Sequence, residues 1–341
     1  MTVKQVIRRR SASAGYSGSS LIELMVAIAL GLILVSGLAT LFANSSQTGN
    51  EINKSVQQIE NGRYAAELLT EDISVAGYYG ELSTIRTIYG PAGGCATSVA
   101  ALGWDNAAST VPVAITGYSA TQAAGLGCLP NHRNGTAAIA IRHLDTAFVV
   151  PGVSTDGNVY MQTSRCATDP YATDFIISTT SSNFTLRGLN CTPINNVQRY
   201  VARVYYVADC NECGIDTTPT LKRAELIGNR MLVSPLVEGI EEIAYDYAFD
   251  TDGNGTPDKY LPGLSGDAGA PDNSWANVVG IRVHLLSRTT EISPGFVDSK
   301  IYDLGLSGKR GPFNDAYKRR GYTVTARLNN IAGPREVAAV P

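Results

Sequence analysis

Charge is scarce in this chain. Only 17% of its 341 residues are Asp, Glu, Lys or Arg, against about 25% in an ordinary soluble domain. The 27 basic side chains are outnumbered by 30 acidic ones. The clustered positive charge that neutralises phosphates is therefore missing, which argues against nucleic acid as a partner. Phenylalanine (7) and methionine (4) are few. Only one long apolar run occurs, which excludes a multi-pass membrane protein. Catalytic signatures are missing as well: there is no His-Glu-x-x-His, Gly-x-Ser-x-Gly, P-loop or dinucleotide fingerprint. His132, His143 and His284 are scattered, with no ligand or triad spacing. The adjacent acids Glu241 and Glu242 would point to opposite faces of a strand, which does not favour joint acid–base work. The expectation is a protein that is not an enzyme. Glycine (34) and tyrosine (17) are plentiful, and a hydrophobic content of 44% excludes wholesale disorder. That balance suits a Gly-rich, Tyr-decorated β protein exposed outside the cytoplasm.

The apolar run is Leu21 to Ala43, with Glu23 its single charge. As a helix it would span about 34 Å, enough for a bilayer core. Lys4, Arg8, Arg9 and Arg10 precede it and no basic residue follows until Lys54. The positive-inside rule then places the N-terminus in the cytoplasm and everything after Ala43 outside. A cleaved secretory signal has a shorter apolar region followed by a small-x-small site. A plain signal anchor accounts for length and orientation but leaves Glu23 unexplained, and a carboxylate inside a spanning helix calls for a functional reason.

Gly18-Ser19-Ser20-Leu21-Ile22-Glu23-Leu24 resembles the type III signal of type IV prepilins. The resemblance implies cleavage after Gly18 by a prepilin peptidase on the cytoplasmic side, with Ser19 as the new, N-methylated terminus and Glu23 at mature position five. Gly15 is a rival glycine at the wrong offset, and Ser19 departs from the Phe that most members carry there. A buried carboxylate is tolerated when it is paired. In a helical filament Glu23 would face the free amino group of a neighbouring subunit and set the assembly register. A Glu23 that snorkels to lipid headgroups is the plainer alternative.

Ile52, Val56, Ile59, Ala66, Leu69, Ile73 and Ala76 form an amphipathic stripe, with Glu51, Lys54, Glu60, Arg63, Glu67 and Glu71 opposite. Gly77 is the expected stop. The predicted helix, about 84 Å long, packs its outer half on a globular domain. Strands are expected at Ala137–Arg142, Asp174–Thr179, Arg199–Val207, Lys222–Ile227, Ile240–Phe249, Val278–Arg288 and Tyr322–Leu328. No helical pattern recurs between them, so a parallel α/β sheet is disfavoured. The expected fold class is α+β: a type IV pilin fold, with a long N-terminal transmembrane and amphipathic helix packed on an antiparallel sheet domain carrying large disulfide-stapled loop insertions. Its expected organisation is a leader at 1–18, the long helix at 19–77 (membrane part 21–43), a loop-rich insertion at 78–200 and a sheet core at 200–341.

All six cysteines fall between residues 95 and 213, and an even count outside the membrane reads as disulfides formed in an oxidising periplasm. Neighbour pairing gives Cys95–Cys128, Cys166–Cys191 and Cys210–Cys213, among the several connectivities that six cysteines allow. Cys210-Asn211-Glu212-Cys213 could instead be half of a zinc site, but no second Cys-x-x-Cys occurs, and a thioredoxin-like redox pair lacks its βαβ context. No cysteine near the N-terminus follows a lipobox. Asp250, Asp252, Asn254 and Asp258 place oxygen donors at positions 1, 3, 5 and 9 of a loop with Gly255 at 6, and Thr256 would offer its backbone carbonyl at 7. This spacing suits calcium. Leu261 stands where an EF-hand needs its bidentate Glu, so the loop is closer to the calcium loops of extracellular repeat proteins. The same residues also make a polar turn, and the sequence leaves both readings open. No cofactor is required, and calcium is the one candidate ligand.

Glu238-Gly239-Ile240-Glu241-Glu242-Ile243, Tyr245-Asp246-Tyr247, the Asp-rich loop, Trp275 to Val283 and Tyr317-Lys318-Arg319-Arg320-Gly321-Tyr322 resemble the C-terminal domain of PilW-type minor pilins. With the Ala76-Gly77-Tyr78-Tyr79 junction the resemblance runs over most of the chain, thinning in 85–200. It implies a non-catalytic minor pilin that takes part in initiating type IV pilus assembly. The implied partners are other minor pilins, the major pilin and the prepilin peptidase. The implied location is a single pass of the inner membrane with a periplasmic C-terminal domain, then the pilus tip. A minor pseudopilin of a type II secretion system and a pilus-tip adhesin are the alternative readings.

Overall fold

The computed structural model describes residue 18 and residues 20–84, 88–153, 156–168, 175–263 and 275–337. Ser19 and residues 1–17 of the expected leader lie outside them, as does Asp174 at the start of one expected strand. The chain divides into two compact units, Met1–Asn53 and Lys54–Pro341. Helix α1, Leu21–Val75, contributes to both. In the first unit its side chains from Leu21 to Phe42 are exposed, apart from a half-buried Gly31. By length and composition this helix can cross a membrane.

In the second unit α1 buries Gln58, Gly62, Ala65, Ala66, Leu69, Asp72 and Ile73. The buried face therefore starts later than the apolar stripe suggests, because Ile52 and Val56 are exposed. Its entry point is polar: the Gln58 amide donates to the carbonyls of Ser287 and Lys318 at 2.9 and 2.7 Å. Small residues follow for a steric reason. A Cβ on Gly62 would meet the Tyr322 ring at 2.2 Å, so that position must lack one for the helix to approach the sheet. Gly77 ends the helix with φ +75°, the left-handed conformation of a C′ residue.

The strands are β1 Ile88–Gly90, β2 Thr110–Pro112, β3 Ile115–Tyr118, β4 Ala138–Val149, β5 Tyr160–Thr163, β6 Phe175–Ser178, β7 Val197–Ala208, β8 Thr220–Ile227, β9 Arg230–Glu238, β10 Ile240–Phe249, β11 Lys259–Leu261, β12 Val278–Arg288, β13 Tyr302–Asp303, β14 Lys309–Arg310 and β15 Arg319–Arg327. Two further α-helices are short, α2 Ala120–Ala124 and α3 Asn329–Val337. The fold is α+β. A seven-stranded sheet runs β3-β4-β7-β5-β6, with β8 pairing β7 and β9, and a four-stranded sheet runs β11-β10-β12-β15. Every pairing in these two sheets is antiparallel. Their inner faces share one core with α1: Leu69 and Ile73 pack with Ile139, Ile141, Tyr205, Tyr245, Ile281 and Val283.

The one antiparallel sheet region expected from the sequence is thus two large sheets, with the strand pairs β1-β2 and β13-β14 beside them, and residue 200 is not a boundary between loops and core. Strand β4 pairs with β7 through Leu144↔Tyr200 and Ile139↔Tyr205. Residues 78–200 carry a second core in which Trp104 meets Tyr79, Phe175 and Tyr200 edge-on at 5.3, 5.2 and 5.5 Å. Strands β1, β2, β3 and β5, at three or four residues, are too short to show a period of two, whereas β4 and β6 overlap the expected Ala137–Arg142 and Asp174–Thr179. Strand β9 escaped the pattern because Pro235 interrupts it. It lies at the edge of its sheet, where a missing N–H costs nothing.

Candidate functional site

At the start of α1, Ser20 and Glu23 bond reciprocally. The Glu23 N–H donates to Ser20 Oγ and the Ser20 N–H to Glu23 Oε2, each at 3.3 Å. This is a capping box, which satisfies two amide donors that a helix start leaves unpaired. The pattern Ser-x-x-Glu was visible in the sequence, so the cap is a signal that the reading of Glu23 as a filament contact passed over. A Cβ built on Gly18 has nothing within 4 Å. The protein's own packing therefore does not demand glycine there.

Further along, α1 places Asp72 against the seven-stranded sheet. Arg203 Nη1 lies 2.6 Å from its Oδ1, Tyr205 Oη donates at 2.9 Å, and His143 Nε2 stands at 3.4 Å. Burial would raise the Asp72 carboxyl, but His143, Arg203 and Tyr205 outweigh it and hold the group below its ordinary value. These residues border a cleft of about 400 Å³, with Glu71 and Arg223 on its rim. The cluster ties helix to sheet by charge, and no local pattern announces it, because Asp72 precedes Arg203 and Tyr205 by 131 and 133 residues.

A second buried cluster spans the four-stranded sheet. Arg319 reaches Glu241, Asp298 at 3.1 Å and Asp315 at 2.6 Å, and Glu241 also receives Arg133 and Arg288 at 3.3 Å. Glu242 turns instead to Arg310 at 3.4 Å, so the neighbouring acids do diverge. The histidines are less idle than their spacing implies. His284 bonds Asp246 at 3.0 Å and Thr323 at 3.1 Å, a hydroxyl–imidazole–carboxylate series assembled across β10, β12 and β15. Such a series is spatial rather than sequential, so spacing could not reveal it. Here it ties three strands: a Cβ on Gly305 would meet the imidazole at 2.3 Å, so that turn sits directly on the ring.

The acidic loop follows β10. The oxygens of Asp250, Asp252 and Asp258 lie within 4.8 Å of one another. Asp250 is buried and already engaged: Arg335 Nη1 lies 2.8 Å from its Oδ2, and the N–H groups of Gly253, Asn254 and Gly255 donate to it. Burial would raise its carboxyl, but Arg335 and the amides hold it below the usual range. Asp258 accepts from the Thr251 N–H and hydroxyl, both at 2.7 Å, and these bonds lower it too. Asn254 Oδ1 is taken up by the Thr256 N–H at 2.7 Å. Arg335 sits on α3, beside Gly333 and Pro334, residues that hide a helix from pattern reading.

The six cysteines pair as Cys95–Cys128, Cys166–Cys191 and Cys210–Cys213. The first two staple residues 78–200, and the third sits in the turn after β7.

Residues 204–330 match the family model of type IV pilus-assembly protein W, PilW. The PilW match runs from β7 to the first residues of α3. It takes in the Arg319 cluster except Arg133, the acidic loop and the Cys210–Cys213 turn, and leaves out α1, the Trp104 ring cluster and the other two disulfides. No curated protein has a matching sequence. Among solved structures, a type IV-like pilin from Thermus thermophilus aligns with 12% identity over 80% of this chain and 97% of its own, with a TM-score of 0.39. That likeness is too loose to carry an argument. The C-terminal part of the chain is PilW-like, and the apolar start of α1 precedes it in the same polypeptide.

Proposed function

We propose that this protein is a minor pilin, a non-catalytic subunit that helps initiate type IV pilus assembly. The observation that carries the proposal is the PilW match of the sheet region in a chain whose helix opens on an unburied apolar run. In this reading a prepilin peptidase cuts after Gly18, Ser19 becomes the methylated terminus, and α1 anchors the subunit in the inner membrane with the sheets in the periplasm. Its partners are other minor pilins and the major pilin, and assembly carries it to the pilus tip. Gly18 supports the reading, because among the described residues nothing calls for a glycine there.

Glu23 has two roles in this proposal, capping α1 within the subunit and pairing with a neighbour's amino terminus in the filament. The variant Glu23→Gln separates them, since Gln also completes a capping box but carries no charge. Expressed in cells lacking the wild-type chain, the variant is expected to be inserted and cleaved yet to leave the cells without pili. Normal piliation would remove the pairing role.

Calcium keeps a reduced place in the proposal. Arg335 supplies positive charge to Asp250, so the cation would rest chiefly on Asp252 and Asp258. With so few carboxylates the affinity belongs at the weak end, roughly 10⁻³ M.

A further inference from the structure

The three disulfides differ in ways that point beyond stapling. Cys213 is the one exposed cysteine of the six, while its partner Cys210 is buried. The bridge joins residues only 3 apart in sequence, against 33 and 25 for the other two. Chain-entropy stabilisation grows with loop length, so this bridge holds the fold least. The turn it closes has a separate support. Asp216 accepts the N–H groups of Asn211, Glu212 and Thr218 at 2.9, 2.6 and 2.8 Å. Asn211 also donates to Glu238 on β9 at 2.6 Å. The turn therefore keeps its hydrogen bonds whether or not the sulfurs are joined.

A cation stands beside the Cys213 sulfur. Lys222, on β8, places Nζ 3.4 Å from Cys213 Sγ and is 7% exposed. A neighbouring ammonium favours a thiolate, so Lys222 stabilises Cys213 as the sulfur that leaves when a mixed disulfide at it resolves, and with it the opened form of the bridge. Burial pushes the Lys222 ammonium below its ordinary value, with Asp216 opposing. An adjacent thiolate would reverse that cost. The charged groups around the pair are Asp216 in the turn and Glu238 on β9, both already committed to the turn's amides.

We infer that Cys210–Cys213 is a thiol–disulfide exchange site that accepts electrons from a dithiol, a role separate from the two stapling bridges. A thiolate of the dithiol attacks the accessible Cys213 Sγ. The S–S bond breaks and its electron pair leaves on Cys210 Sγ. The second thiolate of the dithiol then attacks its own sulfur in the mixed disulfide and releases Cys213 as a thiolate beside Lys222. The dithiol ends as a disulfide and the protein gains two electrons; of the two protons the dithiol sheds, one goes to Cys210 and the other to solvent while Cys213 stays a thiolate. The inference does not depend on the pilin reading.

The test uses the full chain in detergent, titrated with dithiothreitol, trapped with iodoacetamide and mapped by peptide mass spectrometry. Cys210–Cys213 is expected to open at a dithiothreitol concentration at least tenfold below that of either other bridge, with the melting temperature unchanged at that point. Lys222→Gln should raise the concentration needed at least threefold, and Lys222→Arg should restore most of it. A measurement on the wild type guards against misfolded variants: the pH midpoint of Cys213 alkylation should fall below the ordinary thiol value of about 8.5. Opening of all three bridges together, a drop in melting temperature when this bridge alone opens, an unchanged Lys222→Gln titration, or a midpoint at or above 8.5 would each overturn the inference.

Discussion

Residues 78–200 and residues 204–330 contribute strands to the same sheet through β4 and β7, yet they are held by different forces. The first stretch relies on the edge-on aromatic cluster around Trp104 and on two disulfides. The second relies on long antiparallel ladders and on buried charge centred on Arg319. Apart from β4 and the start of β7, the strands of the first stretch are three or four residues long and bury little surface, so cross-links and rings hold them. Ladders of nine or more residues can hold themselves, and they tolerate a desolvated ion cluster because every member is paired. The PilW match falls on the second stretch alone.

The sharpest way to break this comparison is to remove the central cation. Arg319→Ala leaves Glu241 and Asp298 buried without their main partner and is expected to cost about 3–5 kcal/mol. Urea denaturation of the full chain in detergent reads the loss, and hydrogen exchange should place it in residues 240–327. Next, Cys166→Ser with Cys191→Ser is expected to cost about 3 kcal/mol, from the loop length, with faster exchange confined to 156–200. Equal loosening of both stretches would erase the distinction.

A smaller effect concerns the tie between α1 and the sheet. The Asp72 carboxyl lies below its ordinary value in the folded protein. Its contribution is therefore complete above the unfolded value of about 3.9 and is lost as pH falls through the folded one. Asp72→Asn should lower stability at pH 7 by about 1–3 kcal/mol, since Arg203 loses a charged partner, and should flatten the loss seen in the wild type below about pH 4. An unchanged acid limb in the variant would mean that other carboxylates control it. The smallest expected effect is calcium. At ~5 mM with an affinity near 10⁻³ M, stabilisation should be about 1 kcal/mol, absent in Asp252→Ala/Asp258→Ala. Identical melting of the wild type in calcium and in EGTA would leave Arg335 as the loop's sufficient cation.

How much could be read beforehand follows the same division. The bounds of β10 and β12 coincide with the expected Ile240–Phe249 and Val278–Arg288, because long runs of β-branched and aromatic residues advertise themselves. Gly77 advertised the helix end in the same local way. Trp104 did not, since its partners Tyr79, Phe175 and Tyr200 are scattered over more than a hundred residues. The start of the buried helix face was misread because a polar residue, Gln58, lies there and satisfies strand carbonyls, while the apolar Ile52 and Val56 stay exposed. The acidic loop was legible as a loop, but its cation partner Arg335 was not. The disulfide pairs were legible because each closes locally, whereas the contact of Lys222 with Cys213 needed the β7–β8 pairing to be known.

The proposed pilin role depends on processing at the start of α1, and one measurement tests that directly. N-terminal sequencing with intact mass, performed on the chain recovered from sheared pili, should find Ser19 as a methylated first residue. An intact Met1, or a start beyond Ala43, would contradict it.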